Sequence, residues 1–590
     1  MSDSITLPAG PRRLWLPVVL VAIQLACLML PYWVEFESME LMFGVMMLGP
    51  MVGAAGFALW WLLLSGIAWR DRLLGLLVAA VACGVAVGLA HETFRLALQF
   101  YGLTALTALW TGYLVLTSWL SWPPRRVGMV LTLLLAGTAC TLFRMDGAWG
   151  NFLLQVSFRF AETAEDRYVK SRADSDGDAA PAAEPIRLSP GDWPGFRGPN
   201  RDGHVVGERV ATDWEANPPK LLWKQPIGPG WSSFAVVGNR VYTQEQRKAN
   251  EVVVCLDAET GKQIWEHKDE ARFTEAVAGA GPRATPTFHD GKLYTLGAKG
   301  HLNCLDAATG KTVWSKDIAD DSGATPPPGG GWWGFSSSPL VARGVVTVVA
   351  SFTEGKLLLG YKADTGDLLW SSGSGKHSYS SPHLATLGGV EQVMVPADNG
   401  LTSFDPATGK VLWTHEWVGS MPDMARCTQP AVVGPADVLL GTGFKHGTRR
   451  LHVRPKADGW SDEEVWSSKA ISQYFNDMVV YQGHIYGFDD AFFTCVNAKD
   501  GEKRWRARGY GNGQVLLLAD QGLLLILAER GDVALLRADP EKHTVLGRIK
   551  AIEGKTWNHP VVAHGKLFVR NGEEVACFRL PGEPDGSPTK

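Results

Sequence analysis

Cysteine is scarce: the 590 residues contain eight, no two of them adjacent, and the 14 histidines include no HExxH and no close Cys/His cluster. That excludes a structural zinc site at the level of sequence. Excess charge is missing too. Lys plus Arg number 56 and Asp plus Glu 60, a formal net charge of −4, so the chain lacks the strongly basic surface that phosphate backbones select, and no nucleic-acid partner is expected. The glycines of GYGNG (Gly509, Gly511, Gly513) and GTGFKHG (Gly441, Gly443, Gly447) have no strand-to-helix context, so they read as turns and not as a nucleotide fingerprint. Charge is also absent locally. Only 16 of the 116 acidic and basic residues fall in the first 160, which rules out a single water-soluble globule.

What fills that segment is apolar. Leu14–Trp33, Leu41–Trp69, Leu73–Ala90, Tyr101–Leu120 and Val127–Phe143 carry no charged side chain, and each approaches or exceeds the roughly 20 residues that cross hydrocarbon as a helix. Arg12 and Arg13 precede the first run, Glu35, Glu37 and Glu40 follow it, Arg70 and Arg72 follow the second, and Arg125 and Arg126 follow the fourth. The positive-inside bias then places the N-terminus in the cytoplasm and, after five crossings, the rest of the chain outside. Trp33, Trp69, Trp119 and Trp122 stand at run ends, where indoles favour the interface. The expected boundaries are a five-span anchor over 1–160 whose residues 144–160 form an interfacial helix, a flexible linker rich in Ala, Asp, Glu and Pro over 161–190, a repeat domain over 191–580 and a tail over 581–590.

One phrase recurs in the second half: CLDAETGKQIWE from Cys255, CLDAATGKTVWS from Cys304, YKADTGDLLWSS from Tyr361, FDPATGKVLWTH from Phe404 and CVNAKDGEKRWR from Cys495. Each copy is an apolar strand, a turn opened by Asp or Asn and closed by Gly, and a strand ending in Trp. Weaker copies end near Trp466 and at Leu546, and an isolated KLLWKQ supplies Trp223, so eight markers recur about every 46 residues. Cys255, Cys304, Cys495 and Cys577 hold one position in different copies; equivalent positions do not meet, and no disulfides are expected among them.

Upstream of each hairpin runs a second strand pair, from ATPTFHDGKLYTL to NHPVVAHGKLFVR. The last pair has no Trp strand after it, and KLLWKQPI has no strands before it. Joining the two fragments completes one unit. The expected fold class is an α-helical transmembrane domain plus an all-β, eight-bladed propeller of four-stranded blades, closed by pairing of N- and C-terminal strands so that sheet edges are hidden.

The Asp-x-x-Thr-Gly-Lys-x-x-Trp hairpin resembles the blade motif of the pyrroloquinoline-quinone (PQQ) repeat propellers, and GDWPGFRGPNRDG from Gly191 resembles the segment that opens such domains. The resemblance covers roughly residues 191–580 and implies a fold more firmly than a cofactor. Members of that kind include non-enzymatic propellers, similar to the lipoprotein of the outer-membrane β-barrel assembly machinery that binds protein partners. They also include quinoprotein dehydrogenases, one class of which pairs five spans with a periplasmic propeller. The adjacent Cys-Cys pair that some quinoprotein alcohol dehydrogenases place over the cofactor is missing here.

In a propeller the innermost strand of each blade starts at the mouth of the central channel. One column of residues there reads Trp231, Arg283, Ser336, Tyr379, Cys427, Phe475, Gln514 and Trp557; the next includes Asn476 and Asn558, and the third Asp477 and His559. Arg283, Arg426, Asn476, Asp477, Asn558 and His559 are candidates to hold a multiply carboxylated ligand, and Trp231, Tyr379 and Trp557 to stack on a flat one. In an oxidoreductase reading Asp477 is the general base and Arg283 or Arg426 stabilises developing negative charge. Beside that stands the reading in which the same residues only plug and hydrate the channel. For Ca²⁺ only Asp477, Asn476 and Asn558 offer oxygens, and no metal ligand is assigned. The long insertion from Asp317 carries Trp332 and Trp333, placed either to cap the mouth or meet a partner, or to pack on a neighbouring blade.

These features lead to two expectations. The first is a multi-pass inner-membrane protein, in contact with the bilayer and with an envelope protein partner, whose periplasmic propeller is a binding or assembly module. The second is a PQQ-dependent dehydrogenase, using PQQ with Ca²⁺ to oxidise sugars or alcohols and passing electrons to membrane quinone. About 390 residues for eight blades leave little chain for the long loops of a cofactor pocket.

Overall fold

The apolar text becomes helix. The computed structural model describes residues 10–34, 39–173, 185–324, 332–350, 353–376, 378–418, 426–443 and 445–582, and the chain divides into two compact units, Met1–Glu162 with Ala276–Ala278 and the remainder. In the first unit, five helices precede residue 140: α1 (Trp15–Met29), α2 (Met39–Leu59), α3 (Trp69–Leu89), α4 (Phe94–Leu116) and α5 (Trp122–Ala139). Four segments, Trp15–Tyr32, Leu41–Leu64, Trp69–Leu89 and Trp122–Leu142, have the length and apolarity to cross a membrane. The 23 residues of α4 are long enough but are not among these four segments. Its Thr104, Thr107 and Thr111 are buried in the bundle, where Thr107 donates to Gln24 of α1 at 2.6 Å. A polar stripe turned inward is what hydrocarbon surroundings demand.

Trp33, Trp69 and Trp119 are exposed at helix ends, whereas Trp122 is buried and is not an interfacial anchor. Its indole N–H donates to Asp71 at 2.6 Å, and Arg126 pairs with the same carboxylate at 3.0 Å, so it fastens the start of α5 to the start of α3. Residues 144–160 do not form the expected helix either. Phe143–Ala148 and Leu154–Phe158 pair as an antiparallel hairpin, because Leu154, Val156 and Phe158 alternate with period two and Gly150-Asn151 supplies a turn.

In the second unit the described residues form eight blades: Ala235–Asp269 (blade 1), Thr287–Asp317 (2), Leu340–Ser372 (3), His383–Glu416 (4), Ala431–Ser468 (5), Val479–Ala507 (6), Gln514–Lys550 (7), and Val561–Arg579 completed by Lys220–Pro226 (8). The last closes the ring, Trp223 pairing with Cys577. All eight cysteines are free thiols. Four of them lie across the strand pair from a blade tryptophan, Cys255 from Trp265, Cys304 from Trp314, Cys495 from Trp505 and Cys577 from Trp223, which explains a small apolar residue at that position.

The repeat phrase is an inter-blade joint. The indole N–H of Trp223, Trp265, Trp314, Trp370, Trp466 and Trp505 donates to a turn carbonyl of the following blade at 2.9–3.2 Å, and in five cases the ring lies on that turn's glycine. A Cβ on Gly310, for example, would stand 2.5 Å from the Trp265 ring, at a φ of +71°. The Gly and the Trp of the motif are thus two halves of one contact made between neighbours. Trp413 faces a blade whose turn lacks Thr-Gly and donates instead to Gln392 in its own blade at 2.6 Å. Leu546 replaces the Trp ahead of blade 8, whose outer strands come from opposite ends of the domain and have no turn to receive it. Gly310→Ala is expected to cost about 2 kcal/mol in thermal denaturation, from the positive φ and the overpacked ring together.

The lead-in segment from Gly191 lies along the innermost strands. Trp193 bridges to Val236 of blade 1, the Pro194 carbonyl accepts from Phe288 N of blade 2 at 2.7 Å, and His204–Val205 runs parallel to the first strand of blade 7. The span read as a flexible linker is helical over Ala164–Ala173 (α6). Thr163 and Asp166 cap it reciprocally at 2.8 and 2.9 Å. Tyr168 docks it on blade 1, donating to Glu245 at 2.8 Å, and Glu165 pairs with Arg272 at 2.9 Å.

Candidate functional site

The residues aligned at the start of the innermost strands fall at three successive levels; at the second, Ala284 and Val515 pack into hydrophobic clusters. At the third level a relay of hydrogen bonds runs from blade to blade. Ser233 N donates to Thr285 Oγ1 at 3.0 Å, Thr285 N to Ser338 Oγ at 2.9 Å, Ser338 N to Ser381 Oγ at 2.9 Å and Gln429 N to Asp477 Oδ1 at 2.7 Å. Gln429 reaches back to the Ser381 carbonyl at 3.2 Å, and Ser233 Oγ donates to the His559 carbonyl at 2.7 Å. Asp477 therefore holds a position where other blades use a hydroxyl to receive the same N–H.

Below that level two arginines of the lead-in segment plug the axis. Arg201 donates to the carbonyls of Ser338 and Pro382 at 3.1 and 3.0 Å and also to that of Pro339. Arg197 donates to the Met478 carbonyl at 2.5 Å and stands 3.5 Å from Asp477. Both residues adopt a positive φ, near +59° and +56°, a strained conformation that the surrounding bonds hold in place. Burial lowers Arg201 to about 9. Asp477 is 1% exposed. Burial alone would raise its carboxyl, but the Arg197 charge, His559 at 3.3 Å and the Gln429 N–H outweigh it and hold the group below the ordinary aspartate range. His559, buried against the edge of Phe196 at 5.0 Å, is depressed by desolvation and stays neutral near pH 7.

The first level is different: four of its eight residues are aromatic, and three of those, Trp231, Phe475 and Trp557, are only half-buried. Trp231 and Trp557 lie 5.1 Å apart, Trp557 and Phe475 4.8 Å, Phe475 and Tyr474 5.0 Å, Tyr474 and Trp333 6.3 Å, and Trp333 and Tyr379 5.0 Å, an arc around part of the mouth. Lys555 Nζ sits over both Trp557 and Trp231, at 4.5 and 5.3 Å, and Trp557 donates to Glu529 at 2.9 Å. The Trp333 N–H donates to the Tyr379 hydroxyl at 3.1 Å, while Trp332 packs between Phe273 and Phe335 at 5.4 and 5.5 Å. Of the insertion, residues 325–331 lie outside the described residues; its two tryptophans serve the mouth and the neighbouring blade respectively.

Arg283 and Arg426 do not converge on an open centre. Arg283 stacks on Phe273 at 4.4 Å and donates to the Gly279 and Gly281 carbonyls. Arg426 lies over Trp417 at 4.6 Å and donates to the Ala397 carbonyl at 2.6 Å. Burial lowers both, Arg426 to about 10. Asn476 donates to the Gly513 carbonyl at 2.5 Å and Asn558 to that of Ser232 at 2.8 Å, leaving their buried Oδ1 atoms without partners. Even with oxygens from a carboxylated cofactor and water, Ca²⁺ is held mainly through protein carboxylates and carbonyls, and here the one carboxylate is committed to Arg197 and His559, leaving two neutral oxygens. Among the described residues no group of three or more His, Cys, Asp and Glu side chains is placed to hold a metal. The donor set does not fit a PQQ–Ca²⁺ centre.

Sequence reasoning missed the two plug arginines, and it missed Glu251. That side chain is 3% exposed, accepts from Ala298 N at 3.1 Å, and has a second oxygen without a partner. Burial pushes its carboxyl up to about 7 against the pull of Ala298 N–H and the Arg283 charge.

A family model described as outer membrane protein assembly factor BamB matches residues 207–317 and 249–440. The propeller is built of PQQ-like repeats. Among solved structures this PQQ-like propeller is similar to BamB from Moraxella catarrhalis, at 15% identity over 63% of this chain and 99% of that one, with a TM-score of 0.44. It is also similar to the quinohemoprotein alcohol dehydrogenase from Comamonas testosteroni, at 13% identity over 72% and 85% of the two chains, with a TM-score of 0.49. A search of curated proteins gives no match. The structural likenesses concern the fold and bring no activity with them.

Proposed function

We propose that the chain is an inner-membrane protein whose periplasmic propeller works as a binding or assembly module, the aromatic channel mouth being the surface that receives a protein or envelope ligand. The observation that carries this reading is the division of labour along the axis. Asp477, the one residue the enzyme reading needs as a base, is spent on Arg197, His559 and the inter-blade relay, whereas the aromatic arc is half-buried and offers large rigid side chains of the type that dominate binding surfaces. Counting α4 as a fifth crossing puts Arg12, Arg13, Arg70, Arg72, Arg125 and Arg126 on one side, which the positive-inside bias makes cytoplasmic.

Two measurements test it. Purified protein mixed with PQQ and Ca²⁺ should develop no bound-cofactor absorbance and reduce no dye with glucose or ethanol; turnover would replace this reading with the dehydrogenase one. A photo-crosslinking residue at Phe475 should give one discrete adduct in cells, lost in the Trp231→Ala/Trp557→Ala double variant, and an alkaline phosphatase fused to the C-terminus should be active. An inactive fusion would move the propeller to the cytoplasm.

A further inference from the structure

The antiparallel hairpin of Phe143–Ala148 and Leu154–Phe158 has two unlike faces. Alternate residues of a strand point to opposite sides and cross-strand partners share a side, so Phe143, Met145, Leu154, Val156 and Phe158 fall on one face and Arg144, Gln155 and Ser157 on the other. The apolar face is not covered. Phe143 is 37% exposed, Val156 and Phe158 are each 47% exposed, and Phe160, whose ring meets that of Phe158 edge to face at 5.6 Å, is 71% exposed. Exposed apolar side chains gathered on one face and backed by polar ones mark a contact surface.

The place of the hairpin in the fold selects what covers it. It is fastened to the end of the helical bundle where α3 finishes and α4 begins. Met145 N donates to Thr93 Oγ1 at 3.1 Å, Arg159 donates to the Leu89 carbonyl at 3.3 Å, and the rings of Phe143 and Phe152 lie 6.1 and 5.0 Å from those of Phe94 and Phe43. Its first strand starts directly after the apolar segment Trp122–Leu142. As a helix those 21 residues rise about 31 Å, the thickness of the hydrocarbon layer, so the hairpin begins where hydrocarbon ends. The apolar surface is also continuous. Val127, Leu131 and Leu135 are exposed at helical spacing on one side of the segment, Leu142 is exposed at its end, and no charged residue stands between Val127 and Phe143. Aromatic side chains are enriched at that depth, where one side of the surroundings is apolar and the other wet, and the two faces of the hairpin match it.

We infer that the hairpin is an interfacial anchor: Phe143, Val156, Phe158 and Phe160 lie among lipids at the boundary between acyl chains and headgroups, and Arg144, Gln155 and Ser157 turn to headgroups and water. The inference rests on the reading that the helices cross a bilayer and is independent of what the propeller binds.

The test uses the full chain in nanodiscs of phosphatidylethanolamine and phosphatidylglycerol, with a photo-crosslinking residue placed in turn at Phe158, at Gln155 on the opposite face and at Leu131 on the exposed side of α5. After illumination, mass spectrometry of the intact protein should show a phospholipid adduct from Phe158 and from Leu131 and none from Gln155. With the crosslinker at Val156, the adduct should be lost in the Phe158→Asp/Phe160→Asp variant while the Leu131 adduct persists in that variant, which shows that the bundle is still folded in the bilayer. An adduct from Leu131 with none from Phe158, equal adducts from Phe158 and Gln155, a Val156 adduct undiminished in the double variant, or a crosslink from Phe158 in cells to a protein in place of lipid would overturn the inference and leave the membrane reading standing. Absence of an adduct from Leu131 in the unsubstituted background would remove that reading and the inference with it.

Discussion

Asp477→Ala is expected to destabilise the propeller by about 3–5 kcal/mol, the range for removing one partner of a buried ion pair. The loss has three parts: Arg197 is left charged with no counter-ion in a site where it is 2% exposed, Gln429 N loses its acceptor at 2.7 Å, and His559 loses the carboxylate 3.3 Å away. Asp477→Asn separates them. The amide keeps an oxygen for Gln429 N but no charge for Arg197, so its cost should fall between alanine and wild type. An Arg197→Met/Asp477→Leu double variant should recover much of the alanine loss, because an apolar pair removes the uncompensated charge. Urea denaturation of the full chain in detergent measures all three. An alanine variant within about 0.5 kcal/mol of wild type would remove Asp477 from the structural relay and return it to candidacy as a base.

Periodicity decided what could be read in advance. The Trp–Gly joint was legible because both halves recur in the same phrase, even though they meet across different blades, and ring closure was legible because KLLWKQ and NHPVVAHGKLFVR are complementary fragments. Residues 144–160 were misjudged because apolar content was weighed without its period of two. The helix at Ala164–Ala173 was hidden because its signal is four residues of capping chemistry, Thr163 to Asp166, inside otherwise polar text. Trp122 looked interfacial because its partner Asp71 lies 51 residues away.

Aligning the repeats with one another names the residues at the start of each innermost strand, but it is blind to what fills the axis. Arg197 meets the Met478 carbonyl across 281 residues, and no local pattern announces such a contact. The consequence was to treat a third-level residue as free for chemistry. The structure instead loads that level with inter-blade hydrogen bonds and leaves the first level, where Trp231, Phe475 and Trp557 cluster, as the accessible surface. Variation between blades thus has two sources: at the first level it reflects which rings stack on one another around the mouth, and at the third it records which atom of each side chain receives the N–H next door.

Glu251 gives the second large effect, and its sign runs opposite to the usual carboxylate. Its folded pKa is raised to about 7 from an ordinary 4.5, so the folded state holds the proton more tightly than the unfolded one. The stability it contributes is fully present below about pH 4.5 and is lost as pH rises to about 7, amounting to about 3 kcal/mol over that window. Glu251→Gln removes the titration while keeping an oxygen for Ala298 N at 3.1 Å. The variant and wild type should therefore be nearly equal in stability near pH 4.5, and the variant should become the more stable by about 3 kcal/mol above pH 7. Carboxylates depressed by cationic partners, such as Asp166 and Glu266, act at lower pH with the opposite sign and are common to both proteins, so they cancel in the comparison. Denaturation midpoints at four pH values between 4.5 and 8 give the difference directly. A gap that stays flat across that range would mean that Glu251 ionises like an exposed carboxylate, and the buried, half-titrated acid beside Arg283 would have to be given up.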